Sequence, residues 1–308
     1  MGTLFRLVVY APAAEPAESA AGAAWKRVDA LEDVMSDYQA DSELMRLCDQ
    51  PPGRPVAVSA DLFDVLQKAE RVSALSGGAF DVTVGPYVRL WRFARKRRVL
   101  PSPGELAAAA EVVGYRKLAL DAQARTVTLL VPGMRLDLGG IGKGYAADAA
   151  LRVLRDYGLP QALVAASGDI ALGQAPPGQA GWRISVAEIG GSRVSFTTNS
   201  ASVLVLHDAG ISTSGDTEQF IEINGVRYSH VIDPATGLGL TNRLQATVVA
   251  RDATTTDSLD NTLCVLGVAR GLALADSLPH TAALIKDGAT GQMQGYPSRR
   301  FRHLAGRP

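Results

Sequence analysis

Hydrophobic positions recur along this chain with two periods. Helical spacing marks residues 19–35, where Ala, Leu, Val and Trp25 fall on one side. It returns over residues 60–76 and stops at Gly77-Gly78, the glycines expected past a helix C-terminus. Helix formers with apolar spacing also fill residues 145–155, and residues 101–113 read as a helix opened by Ser102 and Pro103. Shorter apolar or alternating runs predict strands at residues 4–10, 127–131, 162–166, 182–186, 202–206 and 220–223. Asn224-Gly225, set between residues 220–223 and 226–229, predicts a β-hairpin, because a type I′ turn needs positive φ at both central residues. Turns or breaks are expected at residues 12–18, 51–55 and 176–181, and residues 79–86 hold a β-prone run that ends at Gly-Pro. Strands concentrate in the second half. The pattern predicts an α+β chain with a mixed sheet and packed helices, one domain over residues 1–308 made of two lobes that divide near residue 150.

Composition narrows the partners. Lys+Arg and Asp+Glu each number 31, so no net field favours nucleic acid or an anionic membrane. The dense basic cluster at residues 91–98 reads as a solvated loop or a docking surface for an acidic protein. Cys48 and Cys264 lack a C-x-x-C spacing, which excludes a cysteine zinc site and a disulfide scaffold and predicts two small buried side chains. No apolar run reaches the length of about 20 residues that a membrane span needs. The N-terminus opens directly into a strand pattern without a signal peptide, so a cytoplasmic chain is expected unless an export segment was removed. The sequence specifies no oligomeric state.

Candidate chemistry gathers at residues 135–148. A strand, a glycine turn and a helix follow one another there, and Gly139, Gly140, Gly142 and Gly144 let an anion approach the main chain at a helix N-terminus. Lys143 adds a point charge. Neither common phosphate fingerprint is present, so a tight structural turn is the alternative. Tyr38 is a ring for stacking on a planar ligand or for capping the core. Ser167-Gly-Asp169 places another acid beside a glycine. His230 and Asp233, three apart beside a turn, form a candidate proton relay or orienting pair. Asp257, Asp260 and Asn261, at i, i+3 and i+4, share one helical face. Three hard oxygen donors suit Mg²⁺ or Ca²⁺; N-terminal helix acids are the alternative.

Several blocks occur in one order: Met1-Gly-Thr3, Met35-Ser-Asp-Tyr38, Gly78-Ala-Phe-Asp81, Thr83-Val-Gly-Pro86, and Asp137 through the glycine turn to Tyr145. Ser167-Gly-Asp-Ile170, Thr213-Ser-Gly-Asp216, His230-Val-Ile-Asp-Pro234 and Asp257-Ser-Leu259 complete the series. Together they resemble the FAD:protein FMN transferases, the ApbE-like flavin transferases. The resemblance implies a chain that holds FAD between two lobes, uses Mg²⁺, and transfers FMN to a Thr hydroxyl of an acceptor protein with release of AMP. It implies FAD contacts at Met1, Tyr38, Ala79, Phe80, Asp81, Asp137, Lys143 and Ile232. It implies a metal at Gly140, Asp257, Asp260 and Asn261, with His230, Asp233 and Asp257 in catalysis, and a cell-envelope or periplasmic location if an export segment was removed. An FAD-binding protein or an FAD pyrophosphatase, neither of which transfers to protein, is the alternative. Asn261 stands where that family usually carries Thr, and Ser167 where it usually carries Gly.

Overall fold

Alanine dominates the first helix and decides how closely it can pack. The structure, a computed structural model, describes residues 3–186, 203–215, 220–289 and 293–305. In chain order the elements are β1 (Phe5–Val9), α1 (Ala14–Met35), α2 (Glu43–Cys48), β2 (Val56–Ala57), α3 (Ala60–Ser76), α4 (Gly85–Arg97), α5 (Pro103–Ala110), β3 (Leu118–Asp121), β4 (Thr126–Leu129) and α6 (Gly142–Asp156). They continue with β5 (Ala162–Ala166), β6 (Asp169–Leu172), β7 (Trp182–Ser185), β8 (Val203–Leu206), β9 (Ala209–Gly215), β10 (Phe220–Ile223), β11 (Val226–Ser229), β12 (Leu244–Ala250), α7 (Ala253–Ser277), β13 (Ala282–Asp287), β14 (Gln294–Pro297) and α8 (Arg299–Ala305). The α+β class is as expected. The ladders between strands are antiparallel throughout, so the described sheets are not mixed.

The chain forms two units. The sheet unit comprises Met1–Ala30, Ile141–Glu218 and Arg243–Pro308; the inserted unit comprises Leu31–Gly140 and Gln219–Asn242. Residue 150, where a division was expected, lies inside α6, and the chain instead crosses between units at Gly140–Ile141 and at three other points.

In the sheet unit, seven strands run in the order β1-β5-β6-β9-β12-β13-β14. Alternation sorts their side chains onto two faces. Ala162, Val164 and Ala166 of β5 meet Ala20, Ala24 and Val28 of α1 and Ala147, Ala150 and Leu154 of α6. Leu163 and Ala165 point the other way, against Trp182, Ile184, Leu204 and Leu206 of the β7–β8 pair and Phe301 of α8. Two buried faces explain why β5 reads as one apolar run.

Several sequence expectations change. Helix α1 begins at Ala14, so residues 14–18 are helical instead of a turn. Trp25 is 38% exposed, because the buried stripe runs through Ala20, Ala24, Val28, Leu31 and Met35 and misses it. Gly85-Pro86 opens α4 where a strand end was expected, since proline fits the first helical turn. The basic cluster therefore lies on that helix and just past it, with Trp91 buried. Neither cysteine is in a disulfide and both are buried, as expected. Among the described residues no helix is long and apolar enough to cross a membrane.

Candidate functional site

In the sheet unit the site begins with how α7 starts. Asp252 caps it, accepting from the Thr255 N–H at 2.7 Å. Asp148 of α6 accepts from the N–H groups of Ala253 and Thr254 at 2.9 and 2.8 Å and from the Thr254 hydroxyl at 2.6 Å. Two glycines let the helix seat this closely. A Cβ on Gly144 would lie 2.1 Å from the Ala253 carbonyl oxygen, and one on Gly210 would lie 2.2 Å from the Asp252 carbonyl carbon. Gly144 also donates its N–H to Asp257 Oδ2 at 2.9 Å. That N–H therefore serves helix contact, whereas the sequence suggested an anion.

Helix geometry then brings Asp257, Asp260 and Asn261 to one face, as the spacing predicted. Asp257 and Asp260 are completely buried. Lys143, on the first turn of α6, hydrogen-bonds Asp169 Oδ2 and lies 3.3 Å from Asp257 Oδ1. Asp169 is buried at the start of β6, paired across the sheet with Ala166 and Ser212. Burial first, and then the charge of Asp169, push Asp257 up to about 7, against the pull of Lys143 and the Gly144 N–H. Burial, Asp169 and Asp257 likewise raise Asp260 well above the usual carboxylate range. Burial works against the charge of Lys143, yet the three carboxylates keep its ammonium above its ordinary value.

Asp257 Oδ1 and Asp260 Oδ2 are buried without a hydrogen-bond partner, and the first lies 3.3 Å from the Lys143 ammonium. Asn261 donates Nδ2 to the Asp257 carbonyl at 3.1 Å, so its side-chain carbonyl is the end not committed to the helix. Among the described residues no three His, Cys, Asp or Glu side chains are disposed to hold a metal alone. The donors here are two carboxylates and an amide oxygen, with an ammonium beside them. Hard oxygen donors of this kind could hold a divalent cation of the Mg²⁺ type, whose charge would replace the protons that burial and crowding favour on the two carboxyls.

In the inserted unit, α4 organises a second group. Arg92 pairs with Asp37, lies 3.8 Å from Asp137 Oδ2, and covers the Tyr38 ring at 4.1 Å from its centroid. Tyr38 is 74% exposed, so it is no core cap. Burial, then the Asp37 charge, lift Asp137 to about 6 although it accepts the Gly139 N–H at 2.8 Å. Residues 82–84 run beside 135–137 through the Val84–Arg135 bridge and the Asp137 N–H to Val82 oxygen bond of 2.8 Å. Asp81 accepts from the Thr83 N–H and hydroxyl at 2.7 and 2.6 Å and from the Tyr115 N–H at 2.7 Å. Its carboxylate thus ties residues 81–83 to Tyr115, while the Phe80 N–H before it is held by the Ser76 hydroxyl at 3.1 Å.

The loop after β11 is pinned to α4. Trp91 donates to the Gly237 carbonyl at 2.8 Å, and Ile232 packs on Tyr87, Ala109 and Val113. Asp233 accepts from the Ala235 N–H at 2.9 Å and the Thr236 hydroxyl at 3.2 Å, so it holds the turn that follows His230 in the chain.

The ApbE family model matches residues 1–285. The chain belongs to the ApbE family. It is 34% identical over 253 residues to a Vibrio cholerae FAD:protein FMN transferase, covering 81% of this chain and 74% of the relative. A Treponema pallidum FAD:protein FMN transferase is 33% identical over 322 residues, with 99% of this chain and 85% of the relative covered. Among solved structures, the flavin transferase ApbE from Vibrio cholerae superposes with TM-score 0.87 at 31% identity, covering 99% of this chain and 96% of that one. The ApbE protein from Thermotoga maritima gives TM-score 0.87 at 28% identity over 99% and 97% of the two chains.

Within this ApbE chain the candidate residues fall into two sets. Lys143, Asp257, Asp260 and Asn261 stand together in the sheet unit. Tyr38, Ala79, Phe80, Asp81, Asp137, Gly140, His230, Ile232 and Asp233 belong to the inserted unit, where Gly140 is its last residue before the chain crosses. Met1 and Asp216 lie outside the described residues. Sequence reasoning noted Asp169 only as an acid beside a glycine and missed its pairing with Lys143. Arg92 and Asp37 were missed as well, because a cation inside a basic run looks like surface.

Proposed function

We propose that this chain transfers the FMN half of FAD to a threonine hydroxyl of an acceptor protein, releasing AMP, in a reaction that needs Mg²⁺. The observation that carries the reading is the pair of buried, hydrogen-bond-free carboxylate oxygens on α7, in a family whose relatives are named FAD:protein FMN transferases. Asp257, Asp260 and Asn261 would hold Mg²⁺. When bound, the ion supplies positive charge to the phosphoanhydride as charge builds on its leaving group.

The protein's own groups do the rest. Tyr38 offers an exposed ring for the flavin, held from one side by Arg92. Ala79, Phe80, Asp137 and Ile232 complete the FAD contacts, and Asp81, next in the chain to the first two, is tied to Thr83 and Tyr115. Lys143 contributes a positive charge for a phosphate oxygen. The acceptor hydroxyl attacks the FMN phosphorus, a new P–O ester bond forms, the anhydride bond breaks, and AMP leaves with the bridging oxygen. The hydroxyl proton passes to His230 as general base, and Asp233 holds the turn that follows it.

Variants of the metal face test this. Asp257→Asn and Asp260→Asn should each lose protein flavinylation while FAD still binds, followed by flavin fluorescence quenching. Undiminished transfer in both variants would refute the metal assignment.

A further inference from the structure

Lys143 has two carboxylate partners, and they hold it unequally. Its ammonium makes a hydrogen bond to Asp169 Oδ2, whereas Asp257 Oδ1 lies 3.3 Å away in a charge contact that is not a hydrogen bond. Asp169 is the more firmly anchored partner, buried at 1% exposure. Its backbone is locked between Ala166 and Ser212 in the sheet, directly after the Ser167-Gly168 turn. Lys143 can move, because its charge rides on a flexible four-carbon stem and its side chain keeps 29% of its exposure.

A divalent cation at Asp257 would meet this ammonium at the same oxygen. Two positive charges at that distance repel strongly in a buried site, so one must yield. We propose that Lys143 is a built-in placeholder at Asp257 and that Asp169 is a positioning residue that draws it aside, freeing Asp257 for the divalent cation. The inference rests on the reading that Asp257 and Asp260 hold such a cation. It assigns Asp169 a task that neither the sheet pairing nor the metal donors require.

The test is a two-residue cycle read by Mn²⁺ binding, with free Mn²⁺ followed by electron paramagnetic resonance in the absence of FAD and acceptor. Asp169→Asn keeps the side chain's shape but gives Lys143 no anion to move to. It should weaken Mn²⁺ binding roughly tenfold in the parent, given the strength of such close charge pairs. Lys143→Met should tighten binding, since the competing charge is gone. In the Lys143→Met background, Asp169→Asn should cost clearly less than in the parent, because only its through-space charge on Asp257 and Asp260 is then lost and the residue it positions is absent. Circular dichroism checks the fold of each variant, and Lys143→Gln, whose amide can still bond Asp169, replaces Lys143→Met should that chain not fold. An equal loss in both backgrounds would show Asp169 acting through its own charge or as a ligand and would overturn the proposal, as would no loss in the parent. A parent that binds no Mn²⁺ would instead sink the cation reading, and the placeholder with it.

Discussion

Gly144→Ala adds one methyl group at the point where α6 and α7 touch. Its Cβ would stand 2.1 Å from the Ala253 carbonyl oxygen, 2.5 Å from the carbonyl carbon and 2.9 Å from Asp257 Cβ. The main obstacle is backbone, which cannot rotate away as a flexible side chain would. Overpacking costs about 1–3 kcal/mol, and a backbone obstacle puts this case at the upper end. Alanine's helix advantage over glycine returns about 1 kcal/mol. Parting the helices also stretches the Gly144 N–H to Asp257 bond of 2.9 Å, and a hydrogen bond to a charged group is worth about 1.5–3 kcal/mol. The net loss should be about 3.5–5 kcal/mol. Urea unfolding followed by tryptophan fluorescence measures it, with Gly22→Ala as control. Gly22 lies inside α1, and a Cβ added there would meet nothing within 4 Å, so that variant should gain up to about 1 kcal/mol. If Gly144→Ala proves as stable as Gly22→Ala, the close seating of α7 on α6 is wrong.

Tyr38→Ala should leave stability within about 1 kcal/mol, because the ring is 74% exposed and its one clear contact is Arg92, yet it should weaken FAD binding by roughly tenfold or more; titration calorimetry and a thermal melt read the two effects separately. Ser167 adopts φ 59 in the β5–β6 turn, a conformation strained for a side chain, so Ser167→Gly should stabilise by roughly 0.5–1 kcal/mol in denaturant titrations. Asp148 is raised to about 6, first by burial, so the folded state holds its proton more tightly than the unfolded chain does. That contribution favours folding below about pH 4 and is lost as pH rises through about 6, so the parent should lose up to about 3 kcal/mol relative to Asp148→Asn between those limits. Unfolding free energies at both ends of the range check the sign.

How much was legible depended on whether the signal was local. Helix α3 and strand β5 appear with the bounds their patterns gave, and the Asn224-Gly225 turn has the positive φ values, 53 and 75, that its residues implied. Strands β9 and β12 went unread. The first, Ala-Gly-Ile-Ser-Thr-Ser-Gly, has little strand preference of its own and is made a strand by neighbours on both sides, β6 and β12. The second is buried along its whole length, including Gln245 and Thr247, so it shows no alternation. For the site, a helical face could be read from Asp257, Asp260 and Asn261 because four residues make about one turn. The partnership of Lys143 with Asp169 could not, since it spans 26 positions and exists only once β6 is paired. Gly144 was read as room for an anion; the sequence cannot say that α7 is what comes close.

Flavin transfer predicts a strict equality. In one reaction with FAD, Mg²⁺ and an acceptor protein, AMP is quantified by chromatography while intact-mass spectrometry and peptide mapping count FMN esters on the acceptor. The account predicts one AMP for each protein-bound FMN, located on threonine, and neither product when Mg²⁺ is chelated. AMP accompanied by free FMN and an unmodified acceptor would contradict it and mark the chain as an FAD-cleaving enzyme.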